Sequence, residues 1–414
     1  MKQIYVLMFA SFVVNTAMAQ WIPQNSGTTQ NLNAVYFTDA NTGYVAGDSG
    51  IILKTSDGGN QWIILNSGAT GELRSIYFIT PVTGYIAGDD VILKTEDMGS
   101  TWTDISPPGL VWTGLESVHF PIADTGYVVG RYGMYGGLFL KTINGGTTWT
   151  VDSTRILESV FFTDASIGYI AENFCGWESC IGHIRKTING GSDWSDWTDS
   201  TQFSTDFHSI FFTNEFNGFA VCGVPMGSGG FIYKTTDAGE TWTGSPHIWM
   251  EMNSVFFADS DTGYIVGYVG NGLHHGSILK TTDGGINWSD PILLPTNEFQ
   301  YLNSIYFTDG LTGYVVGEGG IILKTINGGS VGLNESIDAS IFPIFYPNPA
   351  LGKITIPTSA KGHLSILNLC GQVIQQEEIS EINTTIDVSG LSGGVYFVRL
   401  TCEGTVKVGK MIKN

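Results

Sequence analysis

Two sets of side chains in this sequence could do chemistry. The first is a pair of acids, Glu116 and Glu158, each placed just before a short apolar run. Two carboxylates held roughly 5 to 10 Å apart across a sugar would serve glycoside hydrolysis. They belong to a series of equivalent positions, Asn33, Arg74, Glu116, Glu158, His208, Asn253 and Asn303. If these strand entries line a central mouth, they form a mixed polar ring around it, either as solvated lining or as a site for a small ligand or a peptide tip. The second set is aromatic: Trp112, Tyr132, Tyr135, Trp177, Trp197 and Trp249, joined by Phe174, Tyr268, His274 and His275. Trp112, Trp177, Trp197 and Trp249, the Trp residues outside the repeat positions, are all expected in connections on one face, where such side chains stack on sugar rings or anchor protein interfaces, or fill small cores under long loops. His274 and His275 do not define a metal site, because adjacent residues seldom point together and spacing fixes no further ligand. No catalytic residue, cofactor or metal is assigned.

The elements that position these groups come from a repeat of 41 to 50 residues, the period of a propeller blade or another stacked array. An alternating run opens each unit: Val35-Tyr36-Phe37, Ile76-Tyr77-Phe78, Val118-His119-Phe120, Val160-Phe161-Phe162, Ile210-Phe211-Phe212, Val255-Phe256-Phe257 and Ile305-Tyr306-Phe307. A Gly-aromatic pair follows (Gly43-Tyr44 in the first unit, Gly218-Phe219 in the fifth), then a run ending in Lys-Thr (Lys54 to Lys324). Each landmark occurs seven times. β-Branched and aromatic runs bounded by Gly, Asn and Asp read as strands, and a fourth strand carries Trp62, Trp102, Trp149, Trp194, Trp242 or Trp288. The seventh unit has no such Trp after Asn327-Gly328-Gly329. Gln20 to Gly27 (QWIPQNSG), however, reads like Gln61 to Gly68 (QWIILNSG). Trp21 is therefore expected to complete the last unit from the other end of the chain. The expected fold is all-β: a seven-bladed β-propeller closed by the N-terminal strand, plus a small C-terminal β-sandwich.

The turn after the third strand reads Thr-x-Asp/Asn-x-Gly-x-x-Trp, with Asp57, Asp97, Asn144, Asn189, Asp237 and Asp283 at its centre. It resembles the Asp-box, or bacterial neuraminidase repeat. Its acid or amide accepts backbone N–H groups while Gly tolerates positive φ, so its expected role is structural. The whole repeat over residues 20–330 is similar to the propeller of the photosystem II assembly and stability factor family, a likeness that names a fold more firmly than a job. A sialidase would need an arginine cluster, a Tyr-Glu pair and an Asp acid. The repeat region offers only Arg74, Arg131, Arg155 and Arg185 and no Arg-Ile-Pro motif.

The formal charge is -20, and between Gln20 and Ser330 the cations are seven Lys and four Arg. That disfavours nucleic acid and anionic membranes as partners. Residues 1–19 read as a signal peptide, with Lys2, an apolar stretch from Ile4 to Val14 and Ala17-Met18-Ala19, so the mature chain is expected to have no transmembrane segment. Export permits disulfides. Cys175 and Cys180 suit a local clip or stand as two thiols, Cys370 and Cys402 could pair if their strands are neighbours, and Cys222 reads as a small buried residue.

Residues 331–344 read as a linker. Residues 345–414, with Tyr346-Pro347-Asn348-Pro349, Gly371-Gln372, Gly394-Val395-Tyr396 and Lys407, Lys410 and Lys413, resemble the type IX secretion system sorting domain. That resemblance implies the outer-membrane translocon as a partner and delivery to the cell surface or medium. With strand direction alternating, the entries and the second-to-third connections share one face. The connections Arg131–Gly137, Glu172–Gly182, Gly223–Gly230 and Tyr268–Gly276 are expected to rise there as long loops. The functional expectation is an exported module that binds a glycan or protein through this face without catalysis. A glycoside hydrolase and an assembly scaffold for another exported complex are the alternatives.

Overall fold

The computed structural model describes residues 21–414 except 134–135, 176–179, 199–205, 225–228, 270–274, 294–299, 330–348, 357–361, 369–372, 380–383, 403–404 and 414. The chain divides into two compact units, Met1–Ser330 and Val331–Asn414. The described part of the first is seven four-stranded antiparallel sheets with two short 3-10 turns, Asp48–Gly50 and Glu318–Gly320. In sheet one the strands are Leu32–Phe37, Gly43–Gly47, Ile52–Thr55 and Ile63–Leu65, in sequence order across the sheet. Sheets two to six follow the same plan and start at Leu73, Thr113, Ile156, Asp206 and Glu251. Sheet seven consists of Leu302–Phe307, Gly313–Gly317 and Ile322–Thr325, and its fourth strand is Ile22–Gln24, with Ile22 opposite Lys324.

Each landmark of the repeat has a physical task between sheets. The Phe that ends a first strand lies flat under the Gly that opens the second: a Cβ built on Gly126 would fall 2.2 Å from the Phe120 ring. On its other face that Phe stacks against the Gly-aromatic ring of the preceding sheet, at centroid distances of 3.7 to 4.4 Å around all seven sheets. The repeat Trp, expected in the fourth strand but placed before it, meets the same Phe edge-on at 5.9 to 6.3 Å. Trp21 makes this contact with Phe307 at 6.0 Å and is 3% exposed. In sheets one, three, six and seven the Tyr hydroxyl and the Lys-Thr ammonium converge on one carbonyl of the next sheet's turn. Tyr127 and Lys141 both donate to Gly190 O, Tyr264 and Lys280 to Gly328 O, and Tyr314 and Lys324 of sheet seven to Gly58 O of sheet one. Each ammonium also lies over its own sheet's aromatic ring, 5.7 Å away for Lys141 and Tyr127, which adds a cation–π attraction.

The Thr-x-Asp/Asn turns follow one hydrogen-bond scheme. In sheet one, Thr55 Oγ1 donates to Asp57 Oδ1 and accepts from Gly59 N at 2.8 Å, while Asp57 Oδ1 accepts from Gln61 N. Gly59 sits at φ +82, where a side chain would be strained. The second unit pairs Lys353–Ile356 with Thr384–Asp387 and orders a four-stranded sheet as Val373–Ile379, Gly362–Leu367, Gly394–Cys402 and Thr405–Lys413. Ile354, Ile356 and Ile386 of the pair share one core with Leu364, Ile366, Val398, Leu400 and Met411 of the larger sheet.

Candidate functional site

Every first strand carries a β-bulge, and the bulged residue is the strand-entry position in all seven sheets. The register slips between Leu32 and Ala34, Leu73 and Ser75, Leu115 and Ser117, Leu157 and Ser159, Phe207 and Ser209, Met252 and Ser254, and Leu302 and Ser304. A bulge leaves its residue out of the ladder and re-aims its side chain. This frees Asn33, Arg74, Glu116, Glu158, His208, Asn253 and Asn303 from cross-strand partners. Below them the middle residues of the opening runs (Tyr36, Tyr77, His119, Phe161, Phe211, Phe256 and Tyr306) form a succession of ring contacts at 4.8 to 5.6 Å. The succession returns from Tyr306 to Tyr36.

The bulged residues divide into two arcs. Asn33, Asn253 and Asn303 donate to the backbone carbonyls of Leu73, Leu302 and Leu32 in the next sheets, so their amides are spent on joining sheets. The remaining arc is charged. Arg74 reaches Glu72, Asp89 at 2.9 Å and Glu116 at 3.8 Å. Arg131 Nη2 lies 2.7 Å from Glu116 and 3.8 Å from Glu158, and His208 Nε2 lies 3.7 Å from Asp206. Strand-entry reasoning missed Arg131, Asp206 and Asn173, whose amide donates to Asp206 Oδ1, in this network, and it missed a second ion cluster around Glu172. Arg131 sits opposite Gly114, two residues before the Glu116 bulge, and the buried Glu172 lies between Arg155 and Arg185 at 3.5 and 3.4 Å. Arg131, Glu172 and Asn173 share one signal, a position near the end of a second strand facing a strand entry, whereas Asp206 opens a first strand two residues before His208.

Burial, and then the neighbouring Glu116, push the Glu158 carboxyl up to about 7 against the pull of Arg131 and His208. For His208, burial alone would lower the imidazole, but the hydrogen bond and charge of Asp206, with Glu158 and Glu251, raise it to about 9. Both groups hold a proton more tightly folded than unfolded. Folding therefore loses stability as pH rises, through Glu158 from about 4.5 to about 7 and through His208 from about 6.5 to about 9. Glu158→Gln should flatten the fall in melting temperature over the lower window and His208→Asn over the upper. Melting curves that stay parallel to the parent across both windows would contradict this network.

The aromatic set separates on folding. Trp112 is 81% exposed and Trp249 72%. Trp112 holds φ +61, its carbonyl accepts from Gly133 N, and the exposed Tyr132 lies in the adjoining strand, opposite Thr113. Trp197 departs from the expectation of a connection residue. It lies in the fourth strand of its sheet, Ser195–Thr198, half-buried against Tyr233 at 5.6 Å and Trp242 at 6.3 Å, because that strand begins directly after the blade Trp194 and reaches it. His275 opens the strand His275–Thr281 and is half-buried. Tyr135, Trp177 and His274 lie outside the described residues, as do residues 1–20 and the expected linker. The expected long loops are largely hairpin extensions: Gly126–Tyr132 pairs with Gly136–Thr142, and Gly168–Cys175 with Cys180–Thr187. In the second pair Cys175 stands opposite Cys180. Cys222 is fully buried and its thiol donates to Phe231 O. Among the described residues no His, Cys, Asp and Glu group could hold a metal ion, and no helix is long and apolar enough to cross a membrane.

Residues 344–414 match the secretion system C-terminal sorting domain, and residues 13–108 and 245–338 match the photosynthesis system II assembly factor YCF48. A search of curated proteins finds no sequence match. The solved structure of YCF48 from Cyanidioschyzon merolae is 20% identical with a TM-score of 0.56, covering 74% of this chain and 99% of that one. A YCF48 bound to D1 peptide is 16% identical with a TM-score of 0.57, covering 74% and 97%. The GH74 xyloglucanase from Xanthomonas campestris is 14% identical with a TM-score of 0.57, covering 75% of this chain and 54% of that one. At these identities the likeness establishes the β-propeller fold alone. The C-terminal match marks the chain for type IX secretion.

Proposed function

We propose that this protein is an exported seven-bladed propeller, closed by its N-terminal strand and displayed at the cell surface or released, that binds a polypeptide without catalysis. The face of the strand entries is its binding surface. The carrying observation is Trp112, held out at 81% exposure where Gly133 N–H, just past the neighbouring strand, bonds its carbonyl, beside the exposed Tyr132 and next to the Arg131–Glu116 pair. A rigid indole flanked by tyrosine and arginine is the composition of protein-interface hot spots. Closure is supported by the Trp21–Phe307 contact and by the Tyr314 and Lys324 bonds to Gly58 O. Serine hydroxyls support it too, since they accept backbone N–H groups across sheets, Ser304 from Val35 included. A related fold bound to a D1 peptide is consistent with a polypeptide ligand.

Arg131 pairs with Glu116 at 2.7 Å and lies 3.8 Å from Glu158, as in a structural ion-pair network, while a carboxyl held up to about 7 beside a second acid would equally suit a general acid, so turnover decides between the two readings. Trp112→Ala with Trp249→Ala should weaken capture of surface-protein fragments at least about tenfold with an unchanged melting temperature. Undiminished capture would sink the assignment, and so would turnover of a polysaccharide panel that is lost in Glu158→Gln.

A further inference from the structure

The opposite face, built from the first turns and the Thr-x-Asp/Asn turns, carries Ile143, Ile188, Phe216, Ile286, Leu311 and Ile326, each more than half exposed. They are not scattered. Lys141 of sheet three bonds Gly190 O, which sets the turn of Ile143 against that of Ile188. Lys280 does the same for the turns of Ile286 and Ile326 through Gly328 O, and Gly328 N donates to Leu311 O. The turns do not need isoleucine to form. The position of Ile143, Ile188 and Ile326 is Ser56, Glu96, Thr236 and Thr282 in the other sheets, and the position of Ile286 is Ser100 in sheet two. Aliphatic groups held in water where serine serves the fold equally mark a contact surface.

The charge around them is of one sign. The first turns expose Asp39, Asp124, Asp164, Asp259 and Asp309. Within the Thr-x-Asp turns, hydrogen bonds hold Asp237 and Asp283 down to about 2, from the Thr241 hydroxyl first and from Asn287 N–H first respectively, so both stay ionised. The face's cations are its Lys-Thr lysines, and these are spent: Lys54, Lys141, Lys234, Lys280 and Lys324 bond turn carbonyls, while Lys94 and Lys186 pair with Glu96 and Glu240. Such a surface repels a second copy of itself and attracts a basic partner.

We infer that this face docks a basic polypeptide segment with interspersed aliphatic side chains, separately from the Trp112 face. The test uses the full secreted chain and three synthetic peptides, one alternating Lys and Leu, one Lys and Ser, one Glu and Leu, followed by calorimetry at two salt concentrations. The Lys–Leu peptide alone should bind with saturation, more weakly as salt rises. A variant with Ile143, Ile188, Ile286 and Ile326 all changed to Ser should lose about tenfold or more in affinity while melting as the parent does and retaining Trp112-dependent capture. The inference falls if the Lys–Leu peptide does not bind, if the Lys–Ser peptide binds equally, or if the variant binds as well as the parent. It falls also if sedimentation reveals a dimer that the same substitutions dissolve.

Discussion

Trp21→Ala should destabilise the propeller by about 3 to 5 kcal/mol, even though the residue lies at the expected mature N-terminus, where substitutions are usually mild. Its indole is 3% exposed, packs edge-on against Phe307 and covers Gly329, whose Cβ position would lie 3.0 Å from Nε1. Sheet seven has no other Trp, and without this one the strand Ile22–Gln24 keeps little to hold it against Ile322–Lys324. Among the described residues Trp21 Nε1 has no hydrogen-bond partner, so the loss is chiefly one of packing. Trp21→Phe should therefore cost only about 1 to 2 kcal/mol. Urea denaturation measures both. Deleting residues 20–27 should lower the transition of the whole unit, and a synthetic QWIPQNSG peptide should restore part of it by strand addition. A truncated chain that melts like the parent would refute closure.

The second large effect is expected at a glycine. Gly126→Ala introduces a Cβ 2.2 Å from Phe120 Cε1, and that ring has no room to yield, because Tyr85 stacks on it at 3.7 Å and Trp149 abuts its edge. The cost should be about 1 to 3 kcal/mol. Phe120→Leu alone should also destabilise, but combining the two should cost less than their sum by about 1 kcal/mol, since the smaller side chain vacates the space the methyl needs. Additive losses would mean that the glycine serves backbone geometry and not this close approach.

The repeat was legible because its information is local. Alternation over three residues, a Gly-aromatic step and a Lys-Thr end define strands within one unit, and recurrence supplies the number of sheets. The replacement of the missing Trp by Trp21 was legible for the same reason, as two eight-residue segments of the chain match each other. Trp197 was misplaced because local pattern assigns only one Trp to a fourth strand, whereas the strand Ser195–Thr198 begins directly after Trp194 and reaches Trp197. Reading Arg131–Gly137 as a loop failed likewise, because glycine-rich hairpins can extend a ladder as readily as end it.

The sequence by itself determined the strands, their grouping into units, the sorting domain and the identity of the strand-entry residues. Only the tertiary structure decided what those residues do. A bulge turns each of them out of its ladder, and the packing of neighbouring sheets then sets which ones meet: Asn amides reach the next backbone, while Arg74, Glu116, Arg131, Glu158 and His208 make a charged arc. Residues Arg131 and Glu158 are far apart along the chain, and no spacing rule within one repeat encodes a contact between repeats. The same holds for the lysines. Lys-Thr reads locally as the end of a strand, and its function as the clamp on the next sheet's turn exists only once the sheets stand side by side.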